Sequence, residues 1–281
     1  MNSNFWKGKK VLITGYEGFV GSHLTKKLLD MGCILTGLDI KVHRKETMLT
    51  PAEFSRMKIY RTSVENLVTL SKIIEENKIE IIFHLAAKSL VGECLINPLK
   101  ALKTNIQGTW NILEVCRQSK SVKIIIVASS DKAYGEHKKL PYTEKTPLCG
   151  NHPYDVSKSC ADLIAQMYHH TFGVPVVIVR CGNIYGPGDF NFSRIVPDII
   201  RCALLNKTFL IRSDGKFTRD YIYIEDVIKG YIMIAEKSEK LNLFGEAFNL
   251  SCEEPVSVLE LVKTVYKLVQ IEPNYKILNQ A

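Results

Sequence analysis

A phenol and an amine stand four positions apart in one predicted helix, at Tyr154 and Lys158. Side chains at this spacing share a face of a helix, so the two groups are neighbours. An ammonium group favours a nearby phenolate, which makes the tyrosine a usable general base. The Tyr-x-x-x-Lys pattern also arises by chance as a surface pair, so its interpretation depends on what accompanies it.

A second group of reactive side chains follows the apolar run at residues 124–128. A hydroxyl, a carboxylate and an amine occupy consecutive positions at Ser130, Asp131 and Lys132. Ligands of a doubly wound sheet bind beyond the carboxyl ends of its strands, so these groups are expected to face the substrate. They would supply an oxygen ligand, an acid and a base. The alternative is a polar turn in which Asp131 caps the next segment.

Three glycines, Gly15, Gly18 and Gly21, lie between an apolar segment at 10–14 and a segment with helical spacing. Glycine in this context allows a tight turn, close approach of the backbone to a pyrophosphate, and close packing of helix on strand. The helix N-terminus then offers free N–H groups and its dipole to the phosphates. The pattern predicts a dinucleotide site.

Asp39 ends the second predicted strand. A carboxylate there accepts hydrogen bonds from the ribose hydroxyls and repels a 2′-phosphate, which favours NAD over NADP. Lys41, His43 and Arg44 follow closely and could soften that exclusion. The alternative is that Asp39 is a solvated turn residue.

A parallel sheet is the element that would position these groups. Strand-like and helix-like segments alternate strictly in the first half of the chain, which implies right-handed crossovers. The expected fold is α/β, a doubly wound parallel (Rossmann) sheet over residues 1–186 with a smaller C-terminal α/β substrate lobe over residues 187–281. The predicted strands are 10–14, 33–38, 57–61, 80–84, 122–128 and 175–179, and the predicted helices are 18–31, 67–76, 99–117, 154–172, 193–205, 225–236 and 257–269.

Composition and charge narrow the class of protein. The chain has 281 residues, 46% hydrophobic and 23% charged, which excludes a disordered or coiled-coil protein. The net charge of +8 fits either a polyanionic partner or a lysine-rich surface, and the lack of a basic block favours the surface. No apolar run approaches the roughly 18 residues that span a bilayer, so no membrane partner is expected.

The cysteines indicate the cellular compartment of the protein, and the histidines indicate whether it binds a metal. Eight cysteines stand singly, and the chain opens with polar residues instead of a signal peptide. We therefore expect eight reduced thiols in a cytoplasmic protein. The seven histidines lack metal-ligand spacing, since the adjacent His169 and His170 cannot chelate as an i, i+4 pair would, and no metal is expected.

Motifs along nearly the whole chain resemble those of extended short-chain dehydrogenases/reductases that act on nucleotide sugars, and their combination is highly specific. They are Thr14-Gly15-x-x-Gly18-Phe19-x-Gly21, His84-Leu85-Ala86-Ala87, Thr104-Asn105 with Gly108-Thr109, Ser129-Ser130, Tyr154-x-x-x-Lys158, Arg180-x-x-Asn183-x-Tyr185-Gly186-Pro187-Gly188 and Arg219-Asp220-Tyr221-Ile222-Tyr223-Ile224-Glu225-Asp226. The resemblance implies NAD as cofactor, a nucleotide-diphosphate sugar as substrate, no nucleic-acid partner, and a homodimer formed through helices 99–117 and 154–172.

Within that family, Asp131-Lys132 after the serine pair resembles the 4,6-dehydratases, because epimerases carry small or inert residues there. The Ser-Asp-Lys form is most similar to CDP-glucose 4,6-dehydratases, whereas residues 219–222 are more similar to the dTDP- and GDP-sugar enzymes. The nucleotide therefore stays open among CDP, GDP, UDP and dTDP, as does the sugar.

The resemblance implies a role for each reactive residue. Tyr154 takes the proton of the sugar 4-hydroxyl while hydride leaves C4 for NAD, Lys158 binds the nicotinamide ribose, and Ser130 binds the 4-oxygen. Lys132 then removes the C5 proton, Asp131 protonates the departing 6-hydroxyl, and hydride returns to C6. Lysine must be neutral to act as this base, and a charged Lys132 would instead stabilise an enolate. Both roles stay open at this point.

The resemblance also implies binding residues. Arg219 would clamp the diphosphate, which suits a planar fork of donors. The resemblance places Cys181 beside the nicotinamide, where a chemical role and a role as a small buried residue fit the sequence equally well. Family members usually continue with another strand–helix segment, so we expect this chain to be truncated at its C-terminus; the alternative is a minimal C-terminal lobe. The implied cofactor contacts are Gly15, Gly18, Phe19, Gly21, Asp39, Leu85, Ala86, Ala87, Thr104, Tyr154, Lys158 and Cys181, and the implied substrate contacts are Ser89, Ser130, Asn183, Arg194 and Arg219.

Two other functions are compatible with the fold. A nucleotide-sugar 4-epimerase or 4-dehydrogenase would share the oxidation at C4 without loss of water. A non-catalytic NAD- or RNA-binding protein on the same fold is the more remote alternative. Its expected mark is loss of Tyr154, Lys158 or Ser130, and all three are present.

Overall fold

The computed structural model describes residues 3–280. Met1, Asn2 and Ala281 lie outside the described residues. The polar start that argued against a signal peptide falls partly on the first two. The C-terminal end at which truncation is expected falls on the third. The strands are β1 (Lys10–Thr14), β2 (Ile34–Asp39), β3 (Met57–Arg61), β4 (Ile81–His84), β5 (Ile124–Ser130), β6 (Val176–Cys181), β7 (Asn183–Tyr185), β8 (Phe209–Ile211), β9 (Thr218–Arg219), β10 (Tyr221–Tyr223), β11 (Ala247–Leu250), β12 (Val256–Ser257) and β13 (Tyr275–Ile277). The α-helices are α1 (Ser3–Trp6), α2 (Phe19–Asp30), α3 (Pro51–Phe54), α4 (Leu67–Glu76), α5 (Val91–Ile96), α6 (Pro98–Leu102), α7 (Gly108–Gln118), α8 (Pro153–Phe172), α9 (Ile195–Leu204), α10 (Ile224–Leu241) and α11 (Val258–Leu268).

A seven-stranded parallel sheet organises the larger part of the chain, in the order β11-β6-β5-β4-β1-β2-β3. This confirms the expected doubly wound fold. The strand order reverses between β1 and β4, and in such sheets ligands bind outside the carboxyl ends of the strands at this reversal. Thr14 ends β1 and His84 ends β4, so both chain segments that follow open onto one crevice.

The apolar runs are buried because helices cover both faces of the sheet. Helices α4, α7 and α8 pack side by side on one face. Their buried residues form one core with those of the strands, including Leu70, Ile112, Ala165, Ile125 and Val176. Residues 124–127 and the whole of β6 are fully enclosed, as expected for central parallel strands.

The chain forms two compact units whose boundary differs from the one expected at residue 186. The first unit runs to Cys181 and takes in Glu225–Leu250, and the second comprises Gly182–Ile224 and the chain from Ser251 onward. Glu225–Leu250 returns to the first unit because β11 pairs in parallel with β6. Within the same stretch, the ring of Tyr231 on α10 lies 6.4 Å from that of Phe83.

The second unit has a small core of its own. Helices α9 and α11 pack together beside the parallel pair β8–β13 and enclose Ile199, Phe209, Val262 and Tyr266. The parallel pair β7–β10 and the antiparallel pair β9–β12 complete it. These strands have two or three residues each, too short for the alternation that reveals a strand in a sequence.

Two helical features depart from the sequence expectation. The helix expected at 99–117 is helical from Pro98 to Gln118, but a π-helical turn interrupts it at Lys103–Gln107. Helix α3 was not predicted, because its four residues are too few to show helical periodicity. Its start carries a capping box between Thr50 and Glu53, a signal that sequence reading could have used.

Candidate active site

The glycine loop between β1 and α2 cannot accommodate larger residues at two positions. Gly15 has φ +74°, and a Cβ there would lie 3.0 Å from the Ala86 backbone. A Cβ on Gly21 would lie 2.1 Å from the carbonyl oxygen of Gly15. Helix α2 begins after Gly18 without a side-chain cap, so no capping side chain occupies the first-turn N–H groups, the kind of donors that bind anions at helix N-termini. Phe19, a further predicted cofactor contact, is the first residue of this helix.

The chain beyond β4 approaches this loop through Thr14. The Thr14 hydroxyl accepts from the Ala86 N–H at 3.1 Å and lies 2.9 Å from Nδ1 of His84. His84 is buried, and burial lowers its pKa to about 3, so the imidazole is neutral and structural. Its other nitrogen contacts the Thr109 hydroxyl at 3.2 Å. These contacts hold the predicted cofactor contacts Leu85, Ala86 and Ala87, all half-buried, beside the glycine turn.

Asp39 supplies the test of whether this site fits a dinucleotide. Its side chain is 4% exposed, and among the described residues Oδ2 is buried without a hydrogen-bond partner. Such an oxygen is costly unless a donor meets it, and ribose hydroxyls are donors of the required kind. The other oxygen, Oδ1, accepts from Arg44 at 2.5 Å and from the Lys41 N–H at 3.2 Å. The residues therefore fit the adenosine ribose of NAD.

Tyr154 and Lys158 lie in the first two turns of α8, both nearly buried. The tyrosine packs against Cys94 and Ala101. Lys158 Nζ donates to the Ala128 carbonyl oxygen at 2.7 Å, which fixes it beneath the end of β5. Burial lowers the pKa of Lys158 to about 8, so its charge is held at a cost in free energy. One of its three donors is used by Ala128, which leaves donors for a ribose and for the phenol oxygen.

Ser130, Asp131 and Lys132 form a connected set at the carboxyl end of β5. The Ser130 hydroxyl donates to Asp131 Oδ1 at 2.9 Å and accepts from the Lys132 N–H at 3.2 Å. Lys132 Nζ donates to Asp131 Oδ2 at 3.1 Å. Both side chains of this ion pair are about one-third exposed, at 28% and 32%. The turn alternative was half right, since Ser130, and not Asp131, caps the short 3₁₀ turn that follows.

Asn105 is a positioning residue to which the sequence assigned no role. It lies in the π-helical turn, and π turns concentrate at functional sites. Its side-chain amide donates to the Ser157 hydroxyl at 2.8 Å and to the Lys88 carbonyl oxygen at 3.0 Å. Its oxygen accepts from the Lys88 N–H at 2.7 Å. The neighbouring Thr104, a predicted cofactor contact, donates its hydroxyl to Glu65 at 2.8 Å. The signal for Asn105 was its place in the Thr-Asn motif.

A buried ion pair supports the turn that carries Lys132. Arg180 on β6 forms two hydrogen bonds to Asp162 on α8, at 2.7 and 2.8 Å, and both side chains are almost fully buried. Arg180 also donates to the Tyr134 hydroxyl at 2.8 Å. Tyr134 ends the 3₁₀ turn that begins at Asp131, so this network links β6 and α8 to the reactive turn. Sequence reading noted Arg180 in a motif and missed its partner.

The remaining predicted substrate contacts are spread over both units. Ser89, in the first unit, is exposed after β4. In the second unit, the side-chain amide of Asn183 donates to the Asp220 carbonyl oxygen at 3.2 Å. Arg194 donates to Asp189 at 3.1 Å. Arg219 is exposed and bonds only its neighbour's carbonyl oxygen among the hydrogen bonds described, at 2.8 Å. Its guanidinium is thus open to solvent, and its contact with a diphosphate stays a prediction.

The match to a family model decides the class of protein. A sequence model of the NAD dependent epimerase/dehydratase family matches residues 11–251. This chain belongs to the NAD-dependent epimerase/dehydratase family. It is an enzyme with NAD as its cofactor, consistent with the glycine loop and Asp39.

Individual relatives of this family member include dehydratases and epimerases. It is 32% identical over 248 residues to the CDP-glucose 4,6-dehydratase of Salmonella typhimurium, covering 84% of this chain and 69% of that protein. It is 33% identical over 278 residues to the dTDP-D-glucose 4,6-dehydratase of Dictyostelium discoideum, covering 92% of this chain and 62% of that protein. A solved structure of UDP-glucose 4-epimerase from Thermotoga maritima with UDP-glucose matches at TM-score 0.86 and 27% identity, covering 95% of this chain and 85% of that chain. The chain therefore spans about two thirds of the length of the two dehydratases.

Cys181 ends β6 and lies 3.8 Å from the Tyr231 hydroxyl, measured from its sulfur. Burial raises the pKa of its thiol to about 12, so the thiol stays protonated and acts as a small packing group.

No helix within residues 3–280 is long and apolar enough to cross a membrane.

Proposed function

We propose that this family member is a nucleotide-sugar 4,6-dehydratase, a lyase that converts a nucleotide-diphosphate hexose into its 4-keto-6-deoxy product. The observation that carries the proposal is the bonded set Ser130–Asp131–Lys132 at the end of β5, next to the helix that holds Tyr154 and Lys158. Oxidation at C4 needs one base for the 4-hydroxyl proton and one hydrogen-bond donor to the 4-oxygen. Loss of water across C5 and C6 needs a second base and an acid, and Lys132 and Asp131 supply them.

The steps follow from the groups present. Tyr154 accepts the proton of the sugar 4-hydroxyl, and the Ser130 hydroxyl donates to the 4-oxygen as it becomes a carbonyl. A bound NAD would supply the hydride acceptor for C4 and the hydride donor for C6. Lys158 holds positive charge next to the phenol and the ribose. The C4 carbonyl acidifies the C5 proton, which Lys132 removes while Asp131 protonates the departing 6-hydroxyl as water.

The contact between Lys132 and Asp131 provides a direct path for the proton shift that the proposed reaction needs. Transfer of one proton from Nζ to Oδ2, across 3.1 Å, produces a neutral amine and a protonated carboxyl in a single step. Water loss then consumes the carboxyl proton, and the amine gains the C5 proton. This proton exchanges with solvent before it returns to C5. Tyr154 then releases its proton to solvent, and the neutral Lys132 takes up a proton from solvent. Each group thereby returns to its starting protonation state.

The experiment is mass spectrometry of the products formed from CDP-, GDP-, UDP- and dTDP-hexoses in deuterated water. We expect one substrate to lose the mass of one water and to gain deuterium at C5. Asp131→Asn should still oxidise C4 but stall with reduced coenzyme, because the 6-hydroxyl lacks its acid. The control Asp30→Asn removes an exposed carboxylate of α2 that pairs loosely with Arg56, at 3.8 Å, and should leave turnover unchanged. No water loss from any of the four substrates contradicts the proposal.

Lys132 variants distinguish a base from a cation. Lys132→Arg keeps a positive charge but cannot act as a base at neutral pH. We expect this variant and Lys132→Met to lose C5 deuterium exchange equally, while both still reduce the coenzyme. Exchange that survives in the arginine variant alone would assign Lys132 to enolate stabilisation.

A 4-epimerase is the second candidate, favoured by the likeness to the Thermotoga maritima epimerase fold. Product mass separates the two reactions, because an epimer keeps the mass of its substrate. An epimerase would also tolerate Asp131→Asn with little loss of rate.

The proposal includes a reducing, cytoplasmic environment. All eight cysteines are free thiols, and five of them are buried. Thiols in this state persist where glutathione and thioredoxin act. Localisation of a tagged chain to an oxidising compartment would contradict this part.

A further inference from the structure

A buried hydroxyl joins two elements of the candidate active site. Ser159 lies in the second turn of α8 and is 7% exposed. Its oxygen lies 2.7 Å from the Ala133 carbonyl oxygen and 3.0 Å from the Asp155 carbonyl oxygen, so its one proton is shared between them. Ala133 belongs to the 3₁₀ turn Asp131–Tyr134, the reactive turn. The Ser159 hydroxyl therefore bonds α8 to the reactive turn.

Two glycines bring a third segment against the same point. Gly135 directly follows the reactive turn with φ +70°, and a Cβ there would lie 1.9 Å from the Cys149 carbonyl oxygen. A Cβ on Gly150 would lie 2.5 Å from the Asp155 carbonyl carbon. The Gly150 N–H donates to the Ser159 hydroxyl at 3.3 Å. This one hydroxyl thus contacts the reactive turn, the segment at Cys149 and Gly150, and α8.

Two sets of reactive groups flank this junction. Lys132 directly precedes Ala133 in the reactive turn. Tyr154 directly precedes Asp155 in α8. Asp155 is 9% exposed, and burial raises the pKa of its carboxyl, a rise that the nearby charges of His152 and Lys132 oppose. The charge of Lys132 thus acts on α8, so a displacement of the reactive turn would change the surroundings of both sets.

We propose that Ser159 is a positioning residue that fixes the distance between Tyr154, the base for C4 oxidation, and the reactive turn, whose acid and base remove water. The inference rests on the proposed dehydratase function. A base acts only on a proton within hydrogen-bond reach, and a misplacement of about 1 Å can cost about a hundredfold in rate. A reactive turn released from α8 should therefore slow removal of the C5 proton. Oxidation at C4 should continue, because Lys158 keeps its own bond to the Ala128 carbonyl oxygen at 2.7 Å.

Single-turnover kinetics of the enzyme carrying NAD separates the two half-reactions. The substrate is the hexose that the unmutated enzyme dehydrates, chosen from the CDP, GDP, UDP and dTDP series. Stopped-flow absorbance follows reduction of the coenzyme, and mass spectrometry of quenched samples follows loss of water. We expect Ser159→Ala to reduce the coenzyme within about threefold of the unmutated rate and to lose water about tenfold more slowly, so that reduced coenzyme accumulates.

Ser238→Ala is the matched control. Ser238 on α10 is fully buried, and its hydroxyl donates to the Ile234 carbonyl oxygen at 2.7 Å, four residues earlier in its own helix. Ser159 makes the same kind of bond to Asp155. Both variants therefore lose a buried hydroxyl from a helix, and only Ser159→Ala also loses bonds to other elements. The control should leave the ratio of the two rates unchanged.

Ser159→Thr keeps the hydroxyl and gives a second measurement. It should lose water about threefold faster than Ser159→Ala, because the bond to Ala133 is retained. An equal fall of both rates in Ser159→Ala, the same ratio of rates in Ser159→Ala and Ser238→Ala, or a threonine variant as slow as the alanine variant overturns the inference. An unmutated enzyme that oxidises the sugar without loss of water contradicts the proposed function itself, and this inference with it.

Discussion

Burial of the Lys158 ammonium lowers the stability of the folded protein. Its ammonium is buried, and one carbonyl oxygen compensates for the water it has lost. A pKa lowered from 10.5 to about 8 corresponds to about 3 kcal/mol by which folding disfavours the charged form. In the proposed reaction, this charge is needed beside the ribose and the phenol of Tyr154.

Replacement of Lys158 by an apolar residue should therefore lower activity and raise stability. We expect Lys158→Met to abolish turnover and to raise the free energy of unfolding at pH 7 by up to about 3 kcal/mol. The native chain loses the Lys158 proton near pH 8, whereas the unfolded chain keeps it to pH 10.5. The free energy of unfolding of the unmutated protein therefore rises between about pH 8 and pH 10.5. Its difference from that of the Lys158→Met variant narrows over the same range.

Urea unfolding at pH 7, 8, 9 and 10 measures this difference. Lys72→Met is the control, since Lys72 on α4 has a side chain that is 73% exposed and its removal should change stability little at any pH. A Lys158→Met variant less stable than the native protein at pH 7 would show that its hydrogen bond outweighs the cost of burying the charge.

At the scale of elements, the π-helical turn at Lys103–Gln107 connects the crevice to α8. Its Asn105 side chain joins the Lys88 backbone, beyond β4, to Ser157, whose hydroxyl donates to the Tyr154 carbonyl oxygen at 2.7 Å. Regular helix geometry would rotate Asn105 relative to Ala101 and α7. The turn thus places one amide where it fixes the start of the helix that carries Tyr154 and Lys158.

We expect Asn105→Ala to lower stability by about 2 kcal/mol, because buried partners lose their hydrogen bonds, and to lower kcat about tenfold by loosening Tyr154. Asn111→Ala is the matched control on α7. Asn111 is as buried, at 3% exposed against 2%, but its amide donates to the Val64 carbonyl oxygen, away from α8. Denaturant unfolding and kcat measured together separate the roles. A similar fall of kcat in both variants would show that Asn105 acts through stability alone.

The strand and helix pattern of the first unit was readable from the sequence because its elements are long and strongly periodic. The strand at Met57–Arg61 and the helix at Leu67–Glu76 agree with their predicted bounds residue for residue. The π turn was not readable, since its five residues are too few to show a periodicity of their own. The return of Glu225–Leu250 to the main sheet was also hidden, because β11 has only four residues and its partner β6 lies far away in sequence.

At the scale of the whole molecule, the outer surface of α7 and α8 is unusually apolar. Trp110, Leu163, Met167 and Phe172 are between 41% and 53% exposed. The two helices pack side by side in the first unit, so these residues belong to neighbouring surfaces. Exposed apolar patches of this kind mark interaction sites. We propose that a second copy of the chain covers them, giving a homodimer.

Leu163→Glu should convert this dimer to a monomer, because the paired interface would bury two carboxylates without partners. Light scattering after size-exclusion chromatography measures the mass directly. Val68→Glu places the same charge on α4, where the side chain is 78% exposed, and should leave the mass unchanged. A native protein that is already monomeric at micromolar concentration would contradict the homodimer.

The net charge of +8 has a more specific meaning with the structure than without it. The sequence favoured a solvated lysine-rich surface, and most basic side chains are exposed. Part of the excess, however, lines one cavity through Lys41, Arg44 and Arg61. Residues scattered over a stretch of sequence converge there because β2 and β3 are neighbours in register.

The sequence alone determined the doubly wound fold and the glycine loop, because each depends on local spacing or on the order of strands and helices. It also predicted the five proposed catalytic residues, which are Ser130, Asp131, Lys132, Tyr154 and Lys158. Only the tertiary structure decided which partners those residues meet: Asp131 for Lys132, Arg44 for Asp39, and Ser157 for Asn105. It also decided where Glu225–Leu250 belongs. Partners of this kind depend on distances across the sheet and between layers, and protonation depends on burial. Neither is encoded in the periodicity of a chain.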